Sequence, residues 1–431
     1  MNKKIIKLAL PIFISLFINM IVLLINAKQV GNKEVNNFYL LSLFSAFSYL
    51  VLAIHESFRA TVLSSFPHSK TLEAKSKFIF SLLLLSACIF IFLCIAIAFT
   101  KNELMYFLHI QEKYKSLFIG YSLSMVGVSI ISAWSTIFIS LYYLTKTGQL
   151  AMWISLVSAF YNIEITMYFS NRLISSVYSI PLGILFSSVC VLMMISSQVM
   201  RLRLLTFKKI GIDRAAFILA IKHFLSSGLP VFLSYLSIFG GLFVLNSTLS
   251  KISEVAVAGY GVAYRIQTIL ILPAIALGIA TAIYFEEGNK ILKSSLILSF
   301  LIYSVIGTIL YFICPYLVSY IVKDFSISSE AIKYFKIVSF SYAALGILIT
   351  FMITHEQIGK GAFILIMNCF YFLFIILVSN LMMHKIKDSV VVYQSIFLAN
   401  ILFCFICLFI LFFVKTHKRR SFYVKTNQSV A

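Results

Sequence analysis

The run FIFSLLLLSACIFIFLCIAIAF, residues 78–99, decides the fold. It holds no charged side chain, and Lys75, Lys77 and Lys101 stand just outside it. A helix needs about 20 mostly apolar residues to cross about 30 Å of hydrocarbon, and this run is long enough. Eleven further runs of the same kind lie to either side: 8–27, 38–58, 117–142, 150–169, 174–199, 225–249, 256–284, 295–318, 337–354, 362–381 and 390–413. A bilayer offers no water to backbone N–H and C=O groups, so each run is expected to be a helix. The expectation is an all-α polytopic membrane protein with twelve transmembrane helices. The first run follows Lys3 and Lys4 and has no small-residue cleavage site, so it reads as a retained helix rather than a signal peptide.

Composition points the same way. Of 431 residues, 61% are hydrophobic and 11% charged. Soluble proteins carry about 25% charged residues, so this chain could not keep a soluble surface wet. That excludes a secreted, cytosolic or nuclear globular protein. The net charge of +21 is spread over short gaps between apolar runs. A nucleic-acid binder gathers its charge on one soluble face, so no nucleic-acid partner is expected. With the N-terminus inside, the inner segments hold 22 Lys and Arg and the outer loops 12. That bias puts both termini in the cytoplasm. The implied location is the plasma (inner) membrane of a prokaryote, with the lipid bilayer as the main partner. All seven cysteines fall in apolar runs; Cys404 and Cys407 lack a histidine or acidic neighbour, so no disulfide framework or metal site is expected.

The chain repeats itself. Leu10-Pro11-Ile12-Phe13-Ile14-Ser15 opens the first span, and Leu229-Pro230-Val231-Phe232-Leu233-Ser234 opens the seventh. Six spans return a chain to the same side, so the halves are expected to be parallel repeats, as in several secondary transporters. The longest inner segment, 200–224, joins them. We expect an N-terminal six-helix lobe over 1–205 and a C-terminal one over 206–431. Pro11, Pro181, Pro230, Pro273 and Pro315 lie within or at the ends of spans, and each is expected to bend its helix.

Leu8-Ala9-Leu10-Pro11, with Gly31 twenty residues after the proline, resembles the opening of multidrug and toxic compound extrusion (MATE) transporters. The fifth span, from Met152-Trp153-Ile154-Ser155-Leu156-Val157 to Asn162-Ile163, is similar to that family's fifth helix. In the second half the matching stretches are Gly228-Leu229-Pro230, Val257–Ile266, Leu272–Ile279, Gly288-Asn289 and Ile358-Gly359-Lys360. The resemblance implies two six-helix lobes and a central cavity open alternately to each side. It also implies export driven by inward H+ or Na+. The sequence departs from the family where the usual carboxylates stand. Asn26 occupies the position of the first-helix aspartate, Ile238 that of the seventh-helix glutamate and Thr166 that of the fifth-helix acid.

Few polar side chains interrupt the spans. A charge at a helix centre costs about 2.5–3.5 kcal/mol on insertion scales, so each needs a reason. Glu164, in the fifth span, is a proton or cation site or else a glutamate hydrogen-bonded to another helix. It points about 200° away from Asn162, whereas Asn162 and Thr166 share a face. Glu56 lies beside His55, with Arg59 three residues on, a spacing that suits a helix ion pair or a proton relay. Asn26, Asn162 and Thr166 form either helix-pairing glue or a polar cluster that binds ion or substrate. Arg265, after Tyr260 and Tyr264, must pair or face water; these three are the candidate substrate contacts.

The function expected is a MATE-like exporter of a small organic molecule, with H+ or Na+ as coupling ion, no other cofactor, and a monomeric state. The alternative is a flippase for a lipid-linked oligosaccharide or similar precursor. No GxxxxGK[ST] phosphate loop is present, which argues against an ATP-driven pump. His109, His223, His384 and His417 are scattered without acidic partners, which argues against an enzyme.

Overall fold

The computed structural model describes residues 2–31, 35–66, 71–103, 112–146, 148–173, 175–205, 213–285, 289–322, 324–383 and 388–413. Gly288, His109, His384, His417, linker residues Lys208 and Lys209 and the C-terminal basic run lie outside them.

The described residues are helical and contain no strand. Each predicted span falls on a helix. These are α1 (Asn2–Gly31), α2 (Val35–Ser65), α3 (Leu72–Phe99), α4 (Glu112–Tyr143), α5 (Gln149–Ser170) and α6 (Ser179–Arg201). Next, α7 runs through Arg214–His223, a π-helical turn Phe224–Gly228 and Leu229–Ser250. α8 is broken into Glu254–Leu270 and Leu272–Ile283. α9 (Asn289–Ile321) precedes α10, which is Phe325–Val338, a 3-10 turn Ser339–Ser341 and Tyr342–Gln357. α11 (Gly361–Met383) and α12 (Ser389–Phe413) close the series. Over the described residues eleven spans are long and apolar enough to cross a membrane, and α2 covers the remaining predicted run.

Two helices start about three turns earlier than hydropathy indicates. α10 begins at Phe325 rather than 337, because Ser328, Ala331, Phe335 and Val338 form a buried stripe at helical spacing. Asp324 caps it, accepting from the backbone N–H groups of Ser326 and Ile327. α7 begins at Arg214, where Asp213 accepts from Ala215 and Ala216. The charges in both stretches lower the mean hydropathy without stopping the helix.

The helices fall into two units. Over the described residues, 14–232 form one, and 2–13 with 233–413 form the other. The chain changes unit after Phe13 and again after Phe232, the same position in the two repeated hexapeptides.

In the first unit α6 packs on α5 and α4, and α4 on α2 and α3. The opening of α7 lies against the ends of α2 and α3. There the His223 ring nitrogen Nδ1 lies 3.1 Å from Ser65 Oγ, and Phe224 packs on Phe58 at 4.9 Å between ring centroids. In the second unit α10 is the central helix, touching α8, α9 and α12. The break in α8 has a visible cause. Tyr303 of α9 inserts its hydroxyl between Leu270 and Ala274, donating to the Leu270 carbonyl at 2.9 Å and accepting from the Ala274 N–H at 3.0 Å. A side chain wedged into the backbone ladder kinks a helix, and Pro273 removes one more donor.

Candidate functional site

Three of the sequence-predicted residues meet inside the first unit. Asn26 of α1 donates through Nδ2 to Asn162 Oδ1 of α5 at 2.7 Å. Asn162 Nδ2 donates in turn to Ser187 Oγ of α6 at 3.0 Å, and Ser187 donates to the Ile184 carbonyl at 3.1 Å. Thr166 lies one turn along α5 from Asn162, and all four of these side chains are buried. Two oxygens in the cluster accept nothing: Asn26 Oδ1 and Thr166 Oγ1. Unsatisfied buried acceptors are uncommon and costly. Here they are the two oxygens of the cluster left without a hydrogen-bond partner.

Gly183 lets α6 approach this closely. A Cβ at that position would overlap Thr166 Oγ1 and lie 2.9 Å from the Asn162 carbonyl. Neither Ser187 nor Gly183 was singled out from sequence. Serine is common in these spans, and a glycine shows its role only when the facing helix is known.

Glu164 stands apart. It is exposed, one turn along from Phe160 and Tyr161 and one turn before Met167 and Tyr168, all exposed as well. Trp153 and Val157 extend the stripe. Asn162 and Thr166 face inward to α6, so α5 has a buried amide face and an open aromatic face carrying one carboxylate. No hydrogen bond or ion pair engages Glu164 among the described residues.

Glu56 is buried in α2, and Arg59 Nη1 lies 2.8 Å from its Oε1 and 2.9 Å from its Oε2. His55 Nε2 lies 3.3 Å from the Ser129 carbonyl of α4, and its ring meets Phe90 of α3 edge-on. The two neighbours therefore point to different partners, and the structure does not join them in a relay.

In the second unit Tyr260 is buried, packed against Tyr334 at 5.6 Å and Tyr264 at 6.1 Å between ring centroids. Tyr264 is half-buried, and Arg265 is exposed on the opposite side of α8 from Tyr260. Only Arg265 of the three presents its side chain on the open face.

This unit also has buried polar contacts outside the sequence-predicted set. Asn368 Nδ2 of α11 donates to Ser234 Oγ of α7 at 2.5 Å. Asn400 of α12 is fully buried; it accepts from the Tyr371 hydroxyl at 2.7 Å and donates to Ser341 Oγ at 2.9 Å. Both asparagines interrupt apolar runs as Asn162 does, so the same signal was present. At the start of α12, Ser389 and Tyr393 donate to Glu330 of α10, and Lys333 pairs with Glu330 at 3.1 Å and with Asp388 at 3.7 Å. The backbone N–H of Val390, with Lys333 beside it, holds the Asp388 carboxyl below the usual carboxylate range.

Comparison with known proteins places this arrangement. Residues 230–381 match the MatE family model. No curated protein sequence matches the chain. Among solved structures, the Vibrio cholerae MATE transporter VcmN in its bent form superposes with a TM-score of 0.86 at 12% identity, covering 95% of each chain. A Pyrococcus furiosus transporter of the MOP superfamily, described as having a binding pocket of reversed polarity, gives 0.85 at 18% identity over 95% of this chain and 94% of that one. An outward-facing MATE family multidrug resistance transporter gives 0.82 at 17% identity over the same shares. Residues 230–381 thus match the MatE family model, and the chain as a whole shares its fold with solved MATE transporters.

Proposed function

We propose that this chain is a secondary-active exporter that moves a small organic molecule across a prokaryotic plasma membrane by alternating access, as a monomer, in exchange for inward H+ or Na+. The observation that carries the reading is Glu164, an exposed and unengaged carboxylate on a membrane helix of a MATE-type fold. A lipid-facing position would leave its insertion cost unrelieved. A position facing water or a cation relieves it, and the aromatic side chains around it suit an apolar organic body. In this reading Glu164 supplies the coupling charge that Asn26 and Thr166 cannot. The amide cluster of Asn26, Asn162 and Ser187, with Thr166 beside it, contributes dipoles and two open oxygens, and Glu56 with Arg59 braces α2. Arg265 and Tyr264 belong to the substrate side, and Tyr260 supports them from behind.

The second reading, a flippase for a lipid-linked precursor, draws its support from Arg265, a cation suited to a phosphate group. Everted vesicles loaded by an imposed pH or Na+ gradient separate the two. Wild type is expected to move ethidium or a fluoroquinolone against its gradient, and Glu164→Gln to lose most of the gradient-driven rate. Unchanged export in Glu164→Gln removes the coupling role. Translocation of a lipid-linked oligosaccharide, with no movement of either drug, assigns the flippase.

A further inference from the structure

Arg265 is the one arginine we place inside a span, and its surroundings are specific. The first helix of α8, Glu254–Leu270, packs chiefly on the first helix of α10, Phe325–Val338. Its packed face is Ala256, Gly259, Tyr260, Ala263 and Ile266. A Cβ on Gly259 would lie 2.6 Å from Glu330 Cβ, which shows how close that packing is. The opposite face carries Gly261 and Arg265, one helical turn apart. Around Gly261 no atom lies within 4 Å of where a Cβ would be. Arg265 is exposed, and its guanidinium has no hydrogen bond or ion pair among the described residues.

The position also matters. At 1.5 Å per residue, Arg265 lies roughly 16 Å along the helix from Glu254 and roughly 27 Å from Ile283. Neither end of α8 is within reach of one side chain, so the charge cannot escape to an interface by extending along the helix. Nor do the nearby carboxylates of this unit serve it. Glu330 is taken by Lys333, Ser389 and Tyr393, and Asp388 by Lys333, Ser389 and the Val390 N–H. Thr268, the next polar residue on this face, spends its hydroxyl on the Arg265 carbonyl at 2.7 Å. What remains is a guanidinium fork with five donors, beside open space, at membrane depth. Its matching partner is a planar or tetrahedral anion that takes two N–H groups at once.

We propose that Arg265, with the open space over Gly261, is a binding site for the anionic oxygens of a carboxylate, sulfonate or phosphate group carried by the transported molecule. This rests on the exporter reading only for the statement that the anion is cargo; the site itself stands on α8. The same chemistry could be brought by a solute or by a phospholipid headgroup, and the test distinguishes these sources.

The full chain is placed in phosphatidylcholine nanodiscs and titrated with dansylglycine, a soluble aromatic carboxylate. Dansylcadaverine, its cationic counterpart, serves as control. Wild type is expected to bind dansylglycine saturably. Arg265→Ala should weaken that binding about tenfold or more, the scale of one lost charge-assisted hydrogen-bonded pair. Arg265→Lys should lose less, keeping the charge without the fork, and dansylcadaverine binding should not follow the series. If phosphatidylglycerol added to the nanodiscs suppresses dansylglycine binding to wild type, the headgroup occupies the site; if it does not, the occupant is a solute. Equal dansylglycine affinity in wild type, Arg265→Ala and Arg265→Lys overturns the proposal. Because the readout is binding, it is independent of efflux: Arg265-dependent binding without export of ethidium or a fluoroquinolone would remove the multidrug form of the exporter reading and leave the anion site standing.

Discussion

At the scale of single residues, the family resemblance implies acids at three positions where this chain carries Asn26, Thr166 and Ile238. The consequence is a buried cluster held by hydrogen bonds in one direction, Asn26 to Asn162 to Ser187, rather than by charge. Its weak point is the space around Gly183. Gly183→Ala puts a methyl group against Thr166 Oγ1, and overpacking of this kind costs about 1–3 kcal/mol. Because Thr166 Oγ1 has no partner to lose, Thr166→Ala should itself be mild and should restore much of the stability of Gly183→Ala. A double-mutant cycle read by thermal unfolding in detergent checks this. Additive losses would show that the two residues do not share one space. The asparagines were legible in the sequence because an amide in an apolar run is conspicuous. Ser187 and Gly183 were not, because each acquires its role from a helix distant in sequence.

At the scale of elements, the twelve spans were legible because a bilayer imposes one length on every helix. Their ends were less so. Residues 325–338 carry Glu330, Lys333 and Lys336, and a hydropathy average treats such a stretch as loop. The buried stripe from Ser328 to Val338 and the Asp324 cap were the signals that it is helix. The break in α8 was half legible: Pro273 announces a bend, but Tyr303 belongs to α9 and nothing in α8 names it. Tyr303→Phe removes the hydroxyl that serves Leu270 and Ala274 while keeping the ring. It is expected to cost about 1–3 kcal/mol, the range for leaving buried backbone groups short of a partner. Thermal unfolding of the purified variant measures the loss. A stability equal to wild type would mean that the backbone bond Ala274 N–H to Ile271 C=O, at 3.0 Å, holds the break alone.

At the scale of the whole molecule, charge and repeat make separate statements. The excess of Lys and Arg in alternate segments predicts that both termini face the cytoplasm. A C-terminal green fluorescent protein fusion should therefore fluoresce, and an alkaline phosphatase fusion at the same point should be inactive. The opposite pattern would invert the topology and with it the assignment of inner and outer ends. The repeat makes a different point. The matching hexapeptides at Leu10 and Leu229 mark the start of each half, and the chain passes from one unit to the other inside each of them, at Ile14 and Leu233. Residues 2–13 lie in the unit built from 233–413, and the opening of α7 lies in the unit built from 14–232. Each half of the gene thus lends its first helical segment to the body made by the other. A gene divided in the linker would not release two self-sufficient products, because each would carry away a piece its counterpart is built with.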